Sequence, residues 1–411
     1  MGLVVQKFGG TSVADAPRFH RAARRAIDAK LQGNSVVVVV SARGQSTDEL
    51  EQMAYEITDN PSKREMDQLL STGEQISISL MAMAIQSAGH EAVSFTGGQV
   101  GLITDNAHTK ARIQRIDAER ITSQLDQGKI VIVAGFQGVD ENANVTTLGR
   151  GGSDTTAVAL AAMLRADYCD IFTDVPGVFT ADPRIVPDAR KLDQISYDEM
   201  LELASLGAGV MHSRAVEFGK KYNVLIRVRS SATDEPGTEI CQEVDGMEEI
   251  VVSGVSLKKD VAQITMDHVP DTPGIAADIF ARVAKANVVV DDIIQTEHGT
   301  GGATLSFTVD SADLKTAQEV VAKPAASWPG CEISYNTELA KVSAVGVGMR
   351  SHTGVAHTMF RALAEAKINI NAITTSEIRI SCLIARDQGE EALRAIHKAF
   401  GLEAKQAQNS I

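Results

Sequence analysis

The chain has 411 residues, long for a single hydrophobic core, so two or three domains are expected. Hydrophobic residues make up 44% and aromatics only 4%, which leaves the cores to Val, Ile, Leu, Ala and Met. A formal charge of −14 argues against a nucleic-acid binder and requires any phosphate site to gather its few cations locally.

The chain enters a strand at once, with no basic region followed by an apolar stretch, and apolar runs such as Val36–Val40 are far too short to cross a bilayer. A cytoplasmic address is expected. Cys169, Cys241, Cys331 and Cys382 are far apart with no CxxC, the pattern of reduced thiols and not of a disulfide or zinc framework. The histidines are scattered, with no HExxH, and no metal-ligating set is expected.

In chain order, β-branched runs predict strands over Leu3–Phe8, Ser35–Ser41, Ala92–Thr96, Ile130–Phe136, Cys169–Thr173 and Val224–Val228. Between them, amphipathic stretches predict helices over Pro17–Leu31, Glu74–Ser87, Ala118–Gln127, Asp154–Leu164, Tyr197–Ser205 and Ser213–Lys221. Asp15 suits the cap of the first helix, Pro17 its first turn and Gly33 its stop. Continuous Val/Ile runs alternating with helices predict a mainly parallel sheet covered on both faces, which binds ligands at the carboxyl ends of its strands.

Near Pro236-Gly237 the pattern changes. Thr272-Pro-Gly-Ile-Ala276 recurs as His352-Thr-Gly-Val-Ala356, a spacing of 80 residues. The same spacing relates Phe280 to Phe360, Ala284 to Ala364, Ile293 to Ile373 and Glu297 to Glu377. Each copy reads as a β-α-β unit too small to be secure alone, and two could share a core by pairing sheets side by side. Residues 1–245 are thus expected to form one domain, and 246–335 and 336–411 one repeat each. Composition alone leaves the repeats as structural or dimerising elements.

Three segments carry chemistry. Lys7-Phe-Gly-Gly-Thr-Ser12 ends the first strand: its glycines admit an anion close to backbone N–H groups, and Lys7 can neutralise phosphoryl charge. No GxxxxGK[ST] occurs anywhere. Thr146-Thr-Leu-Gly-Arg-Gly-Gly-Ser-Asp-Thr155 opens a helix and resembles a dinucleotide fingerprint, but Asp154 occupies the third glycine position, where it would repel pyrophosphate. Arg150 and Asp154 suit a zwitterion better, one for a carboxylate and one for an ammonium. Thr173-Asp-Val-Pro-Gly-Val-Phe-Thr-Ala-Asp-Pro-Arg184 follows a strand and is dense in turn residues; its acids suit Mg²⁺ or ribose, and Arg184 suits phosphate. Ser41–Asp48 and Ser71-Thr-Gly-Glu74, the latter expected at the head of a helix, add hydroxyls and a carboxylate at the same sheet edge.

Together these segments resemble the aspartokinase family of the amino-acid kinase superfamily, in order and spacing, over nearly the whole chain. The C-terminal repeat is similar to that family's paired ACT domains, ferredoxin-like α+β sensors of small molecules. The resemblance implies ATP-dependent phosphorylation of the aspartate side-chain carboxylate, with Mg²⁺ bridging the ATP phosphates. It assigns Lys7 to the transferring phosphoryl group, with Gly9, Gly10 and Ser12 around the phosphates. Ser41, Thr47, Glu74, Arg150, Ser153 and Asp154 would bind aspartate, Arg150 gripping its α-carboxylate. Thr173, Asp174, Phe179, Asp182, Arg184 and Gly209 would belong to the nucleotide site. Many family members carry Tyr at Phe179 and Lys at Gly209, so altered ATP contacts are expected. Phosphoryl transfer works by positioning and charge neutralisation, so no Ser/His/Asp nucleophile is expected.

The resemblance also places an effector, lysine or threonine or both, at Asp271, Thr272, Pro273, Gly274, Ile275 and Ala276, near Gln295, and at Asn369, Thr375 and Ser376. It implies a homodimer or higher oligomer through the ACT domains. Met247 marks a possible internal start that would yield a separate regulatory subunit. Other readings are a glutamate or acetylglutamate kinase, whose relatives lack the paired repeat, and a non-catalytic amino-acid sensor, which intact Lys7, Arg150 and Asp154 oppose. A nucleotide-binding oxidoreductase fails at Asp154.

Overall fold

The computed structural model describes residues 2–207, 210–242, 251–298 and 302–403. Gly209 and Met247 lie outside the described residues. The chain divides into two units: Met1–Phe179 with Arg190–Ser205 and Gly209–Met247, and Thr180–Ala189 with Leu206–Ala208 and Glu248–Ile411.

The first unit opens with β1 (Leu3–Phe8), α1 (Ala16–Leu31), β2 (Ser35–Val40), α2 (Ser46–Ile57) and α3 (Lys63–Ser87). It continues through β3 (Ala92–Phe95), β4 (Leu102–Thr104), β5 (Ile113–Ile116), α4 (Glu119–Asp126), β6 (Ile130–Ala134), β7 (Gln137–Val139) and β8 (Val145–Thr147). Then come α5 (Gly152–Leu164), β9 (Tyr168–Thr173), β10 (Gln194–Ser196), α6 (Tyr197–Ser205), α7 (Ser213–Tyr222), β11 (Ile226–Ser230) and β12 (Thr238–Cys241).

Its main sheet has the order β10-β12-β11-β9-β1-β2-β6-β3 and is parallel apart from the β11–β12 pair. Val36 to Val40 are at most 1% exposed and every residue of β6 is at 0%, as strands covered on both faces require. Phe19, Ala22 and Ala26 of α1 and Ile78, Met81 and Ile85 of α3 form one core with Val36, Val38, Val40, Ile130 and Ile132. On α5, Gly152 to Ala161 are all buried, the mark of a helix enclosed on every side. At the site end of the sheet, Phe8 and Phe172 stack at 4.8 Å and tie β1 to β9.

Asp15 caps α1 through a 2.9 Å bond from Arg18 N–H, and Gly33 takes φ +92 just after it. Two expectations need correction. Ser71-Thr-Gly-Glu74 lies in the middle of α3, because the helix starts eleven residues earlier behind a Ser62-x-x-Glu65 cap that follows Pro61. The strand expected over Val224–Val228 runs Ile226–Ser230, since Asn223 takes a left-handed conformation at the end of α7 and Val224 is still turning back. Helix α2 was missed: it buries none of its residues and so carries little apolar periodicity. A small sheet of order β5-β4-β7-β8 was also missed, its strands being three or four residues long.

The second unit holds β13 (Gly254–Pro270), α8 (Ile275–Lys285), β14 (Val290–His298), β15 (Gly302–Asp310), α9 (Leu314–Ala325) and β16 (Glu332–Val345). After these come α10 (Val355–Glu365), β17 (Ala372–Thr375), β18 (Arg379–Ala385) and α11 (Gly389–Ala399). One sheet, β14-β15-β13-β16-β18-β17, runs through both repeats. The long strands β13 and β16 serve both. Gly254–Lys258 pairs with Val345–Lys341 beside β18, while Val261–Asp267 pairs with Leu339–Glu332 beside β15. The repeats therefore share one sheet side by side.

Candidate active site

The carboxyl ends of β1, β2, β6 and β9 carry the first unit's site. Gly10 sits where a Cβ would stand 2.7 Å from the Ala42 carbonyl, so only glycine lets the turn after β1 meet the turn after β2. The two turns are joined by Gly44 N–H donating to Gly10 O at 2.9 Å, and Gly9 N–H donates to Phe172 O at 3.2 Å. Ser12 is buried and its hydroxyl has no partner among the described residues.

Lys7 Nζ lies 2.6 Å from Asp154 Oδ1, with both side chains nearly buried. The approach is close but off a hydrogen-bonding direction, so Asp154 Oδ1 keeps lone-pair capacity for a further group. Asp154 stands in the first turn of α5, next to Ser153, whose atoms lie 2.6 to 2.9 Å from a Cβ placed on Gly135 at the end of β6. Glycine there allows α5 to approach the sheet.

Glu74, in mid-α3, accepts a 2.9 Å bond from Ala42 N–H on Oε1, while its buried Oε2 has no partner among the described residues. Burial pushes its carboxyl up to about 8, against the opposing pull of that backbone bond. A buried, half-satisfied carboxylate beside the Ser41 turn is what an arriving ammonium would ionise. Ser41 N–H donates to Phe8 O at 3.1 Å; Thr47 lies in α2 and is half-buried.

Arg150 is at the exposed tip of its loop, and among the described residues its side chain has no hydrogen bond or ion pair. Gly151 follows at φ +66, where a Cβ would fall 2.1 Å from His212 Cβ, so glycine is required twice over. His212 caps α7 by accepting from Arg214 N–H at 3.3 Å on Nδ1, and burial lowers its pKa. Arg214 donates to the carbonyls of Leu148 at 2.6 Å and Ala111 at 3.0 Å, fixing the loop just ahead of Gly149. Asp67, fully buried, accepts from Thr147 Oγ1 at 2.5 Å and from Thr109 N–H at 3.0 Å, and contacts His108 Nδ1 at 2.7 Å. Sequence analysis missed Arg214, His212 and Asp67; the groups that the Arg214 and Asp67 side chains hold are 41 to 103 residues away and leave no local pattern.

At the end of β9, Thr173 Oγ1 donates to the exposed Asp174 at 3.1 Å, and Phe179 is half-buried and bridges to Lys191. Asp182 and Arg184 belong to the second unit. There Arg184 clasps Asp182 at 2.7 to 3.2 Å and holds its carboxyl below the usual range.

In the repeats, Asp271, Thr272, Pro273 and Gly274 form an exposed turn, and Ile275 and Ala276 begin α8 half-buried. Gln295 is exposed on β14; Asn369, Thr375 and Ser376 are exposed around β17. Strands β14 and β17 are the terminal strands in the order of one six-stranded sheet, yet Asp292 of β14 reaches Arg379 of β18 at 3.8 Å.

Residues 2–230 match the amino acid kinase family, and residues 263–323 and 342–400 each match an ACT domain. The chain is 50% identical over 406 residues to an aspartokinase of Pseudomonas aeruginosa, with 98% of each covered. The chain belongs to the aspartokinase family. Among solved members, E. coli aspartokinase III in complex with aspartate and ADP (R-state) superposes with a TM-score of 0.83 at 26% identity, covering 97% of this chain and 99% of that one. The same enzyme with lysine and aspartate (T-state) gives 0.72 at 25% identity, with the same coverage. As a member of this family, the chain is a kinase that phosphorylates a carboxyl group. Cys169, Cys241, Cys331 and Cys382 form no disulfide. Among the described residues, no helix is long and apolar enough to cross a membrane.

Proposed function

We propose that this chain transfers the γ-phosphoryl group of ATP to the side-chain carboxylate of L-aspartate, releasing 4-phospho-L-aspartate and ADP, in the cytoplasm. The observation that carries it is the Lys7–Asp154 pair between glycine turns at the ends of parallel strands. It is supported by family membership and by the aspartate and ADP held by a relative of matching fold.

An aspartate carboxylate oxygen attacks the γ-phosphorus, and the bond from that phosphorus to the β,γ-bridging oxygen breaks toward ADP. Lys7 neutralises the charge spread over the phosphoryl oxygens, and Asp154 holds the Lys7 ammonium in place. Glu74 Oε2 takes the substrate ammonium and Arg150 its α-carboxylate, with Ser41, Thr47 and Ser153 around them. Gly9, Gly10 and Ser12 face the phosphates, and Thr173, Asp174, Phe179, Asp182 and Arg184 serve the nucleotide, alongside Gly209. Asp174, an exposed hard-oxygen donor at a strand end, fits the single carboxylate that Mg²⁺ takes when phosphates fill most of its shell. Mg²⁺ bound there would offset negative charge on the ATP phosphates.

Residues 1–245 form the catalytic part, and 246–335 and 336–411 the two ACT regions, which bind lysine, threonine or both. Gln295 on β14 and Ser376 just after β17 stand at the two terminal strands of the sheet, where a second copy would complete an effector site. The two sheet edges leave unpaired backbone groups, with Ile293 52% and Ile373 45% exposed, as a homodimer through these domains requires. An internal start at Met247 would supply a separate regulatory subunit; intact mass of protein expressed from its native coding sequence would show a 247–411 species.

The test of the activity is ATP- and Mg²⁺-dependent transfer to L-aspartate, trapped as the hydroxamate, with and without lysine plus threonine. Transfer that the effectors suppress supports both halves. Transfer without suppression removes the effector assignment, and no transfer by folded, ADP-binding protein removes the substrate.

A further inference from the structure

Asp67 is a fully buried carboxylate that the proposed mechanism does not use. It stands on α3 seven residues before Glu74, so the two share one face of a rigid helix, about 10 Å apart along its axis. Asp67 Oδ1 accepts from Thr147 Oγ1 at 2.5 Å and from Thr109 N–H at 3.0 Å, and Oδ2 contacts His108 Nδ1 at 2.7 Å. Thr109 is β-branched yet left-handed at φ +70, a costly conformation that persists only where its surroundings impose it. Its carbonyl lies under Gly149, where a Cβ would stand 2.9 Å from Thr109 O. Thr147 O accepts from Ala111 N–H at 2.9 Å, which closes the same turn onto the end of β8. One turn further along α3, Ser71 O accepts from Gln137 Nε2 at 2.8 Å, and Gln137 is the β7 residue that pairs with Thr147. Helix α3 is thus tied at two points to the strand pair that leads into Gly149-Arg150-Gly151. Packing alone would be served by an apolar side chain at Asp67, without the desolvation that its bonds must offset.

We propose that Asp67 is a positioning residue for aspartate: by holding Thr147 and Thr109 it fixes the loop that carries Arg150 to α3, and so sets the group that grips the α-carboxylate against Glu74, which takes the ammonium. The assignment rests on the aspartate roles proposed above for Arg150 and Glu74. A bond that served stability alone would lower the melting temperature and leave ATP and aspartate equally served. A positioning bond acts on aspartate, and only while Arg150 is there to be positioned.

The test uses full-length Thr147→Val, which keeps the shape and loses the hydroxyl, against Thr147→Ser, which keeps it. In the hydroxamate assay Thr147→Val is expected to lower kcat/KM for aspartate about tenfold, the worth of one hydrogen bond to a charged group, with Thr147→Ser near wild type. KM for ATP should stay within about twofold. In Arg150→Ala, which has already lost the grip, adding Thr147→Val should lower kcat/KM for aspartate no further, a coupling that a double-mutant cycle reads directly. Should Thr147→Val fail to fold, Asp67→Asn is expected to show the same split and the same coupling. Folded variants with wild-type kcat/KM for aspartate, equal losses toward both substrates, or independent losses in the double variant overturn the proposal and leave aspartate as the substrate. A wild-type chain that phosphorylates no aspartate sinks the proposed activity and this assignment together.

Discussion

Lys7 and Asp154 meet at 2.6 Å although 147 positions separate them in a chain of net charge −14. The aspartate expected to take a substrate ammonium contacts Lys7, the lysine proposed to face phosphate. A nearly buried cation needs such a partner to keep its place, and positioned charge is the largest contribution available to a phosphoryl-transfer site. Lys7→Met is therefore expected to lower kcat by about 10² to 10³ while retaining ADP binding within a few-fold. Asp154→Asn should lower kcat by a smaller factor, because the ammonium remains but loses its orientation. Hydroxamate assays on variants shown to be folded by circular dichroism check both. A Lys7→Met enzyme within twofold of wild type removes the assigned role.

Glu74 makes aspartate binding depend on pH. With its carboxyl raised to about 8 by burial, the empty site is mostly protonated at neutral pH and must release that proton to hold an ammonium. Affinity then improves as pH rises toward 8 and levels off above it. KM for aspartate is expected to fall about fivefold between pH 7 and pH 8, by linkage to a single ionisation. Glu74→Gln should raise KM for aspartate and flatten that profile, leaving KM for ATP unchanged. A pH dependence that survives in Glu74→Gln belongs to another group.

Sequence showed the frame and left out the joints. Strand β1 has the bounds its Val-rich run predicts, and α6 those of its amphipathic stretch, because burial writes a local period. The start of α3 was legible in Ser62-x-x-Glu65 but was passed over for the hydroxyl-rich turn downstream. The Lys7–Asp154 pairing, the Arg214 clamp and the grip of His397 on Thr180 depend on residues 66 to 217 apart. No window of sequence holds both partners. The 80-residue repeat likewise announced two units but not that β13 and β16 each run through both.

The shared sheet has a charged centre. Lys341, on β16, is fully buried and contacts Asp291 at 2.5 Å and Asp292, whose side chain is 3% exposed. Removing one member of a buried ion group leaves its partners uncompensated, whereas exposed pairs contribute little. Lys341→Ala is expected to cost about 3 to 5 kcal/mol in the denaturation transition of the second unit. Lys259→Ala, which breaks the half-exposed pair with Glu390, should cost far less. Equal costs in urea melts of the two variants would show that the buried group is not the stronger.

Ser376 tests the proposed effector site. Its N–H donates to Arg379 O at 2.8 Å in the turn between β17 and β18, and its side chain is exposed. The position is exposed and loses only the long 3.4 Å bond from Ile378 N–H to its hydroxyl, so Ser376→Phe should leave folding, kcat and both KM values within about twofold, as exposed substitutions usually do. If the effector is held against this turn by a second copy, the ring fills the space the effector needs, and the liganded state loses its advantage over the free one. Inhibition by lysine plus threonine is then expected to need at least about tenfold more effector, the span of a typical coupling energy. Dose–response curves on the hydroxamate assay measure it. A variant inhibited like wild type places the effector elsewhere and leaves the kinase assignment untouched, because Lys7, Glu74 and Asp154 lie in the other unit.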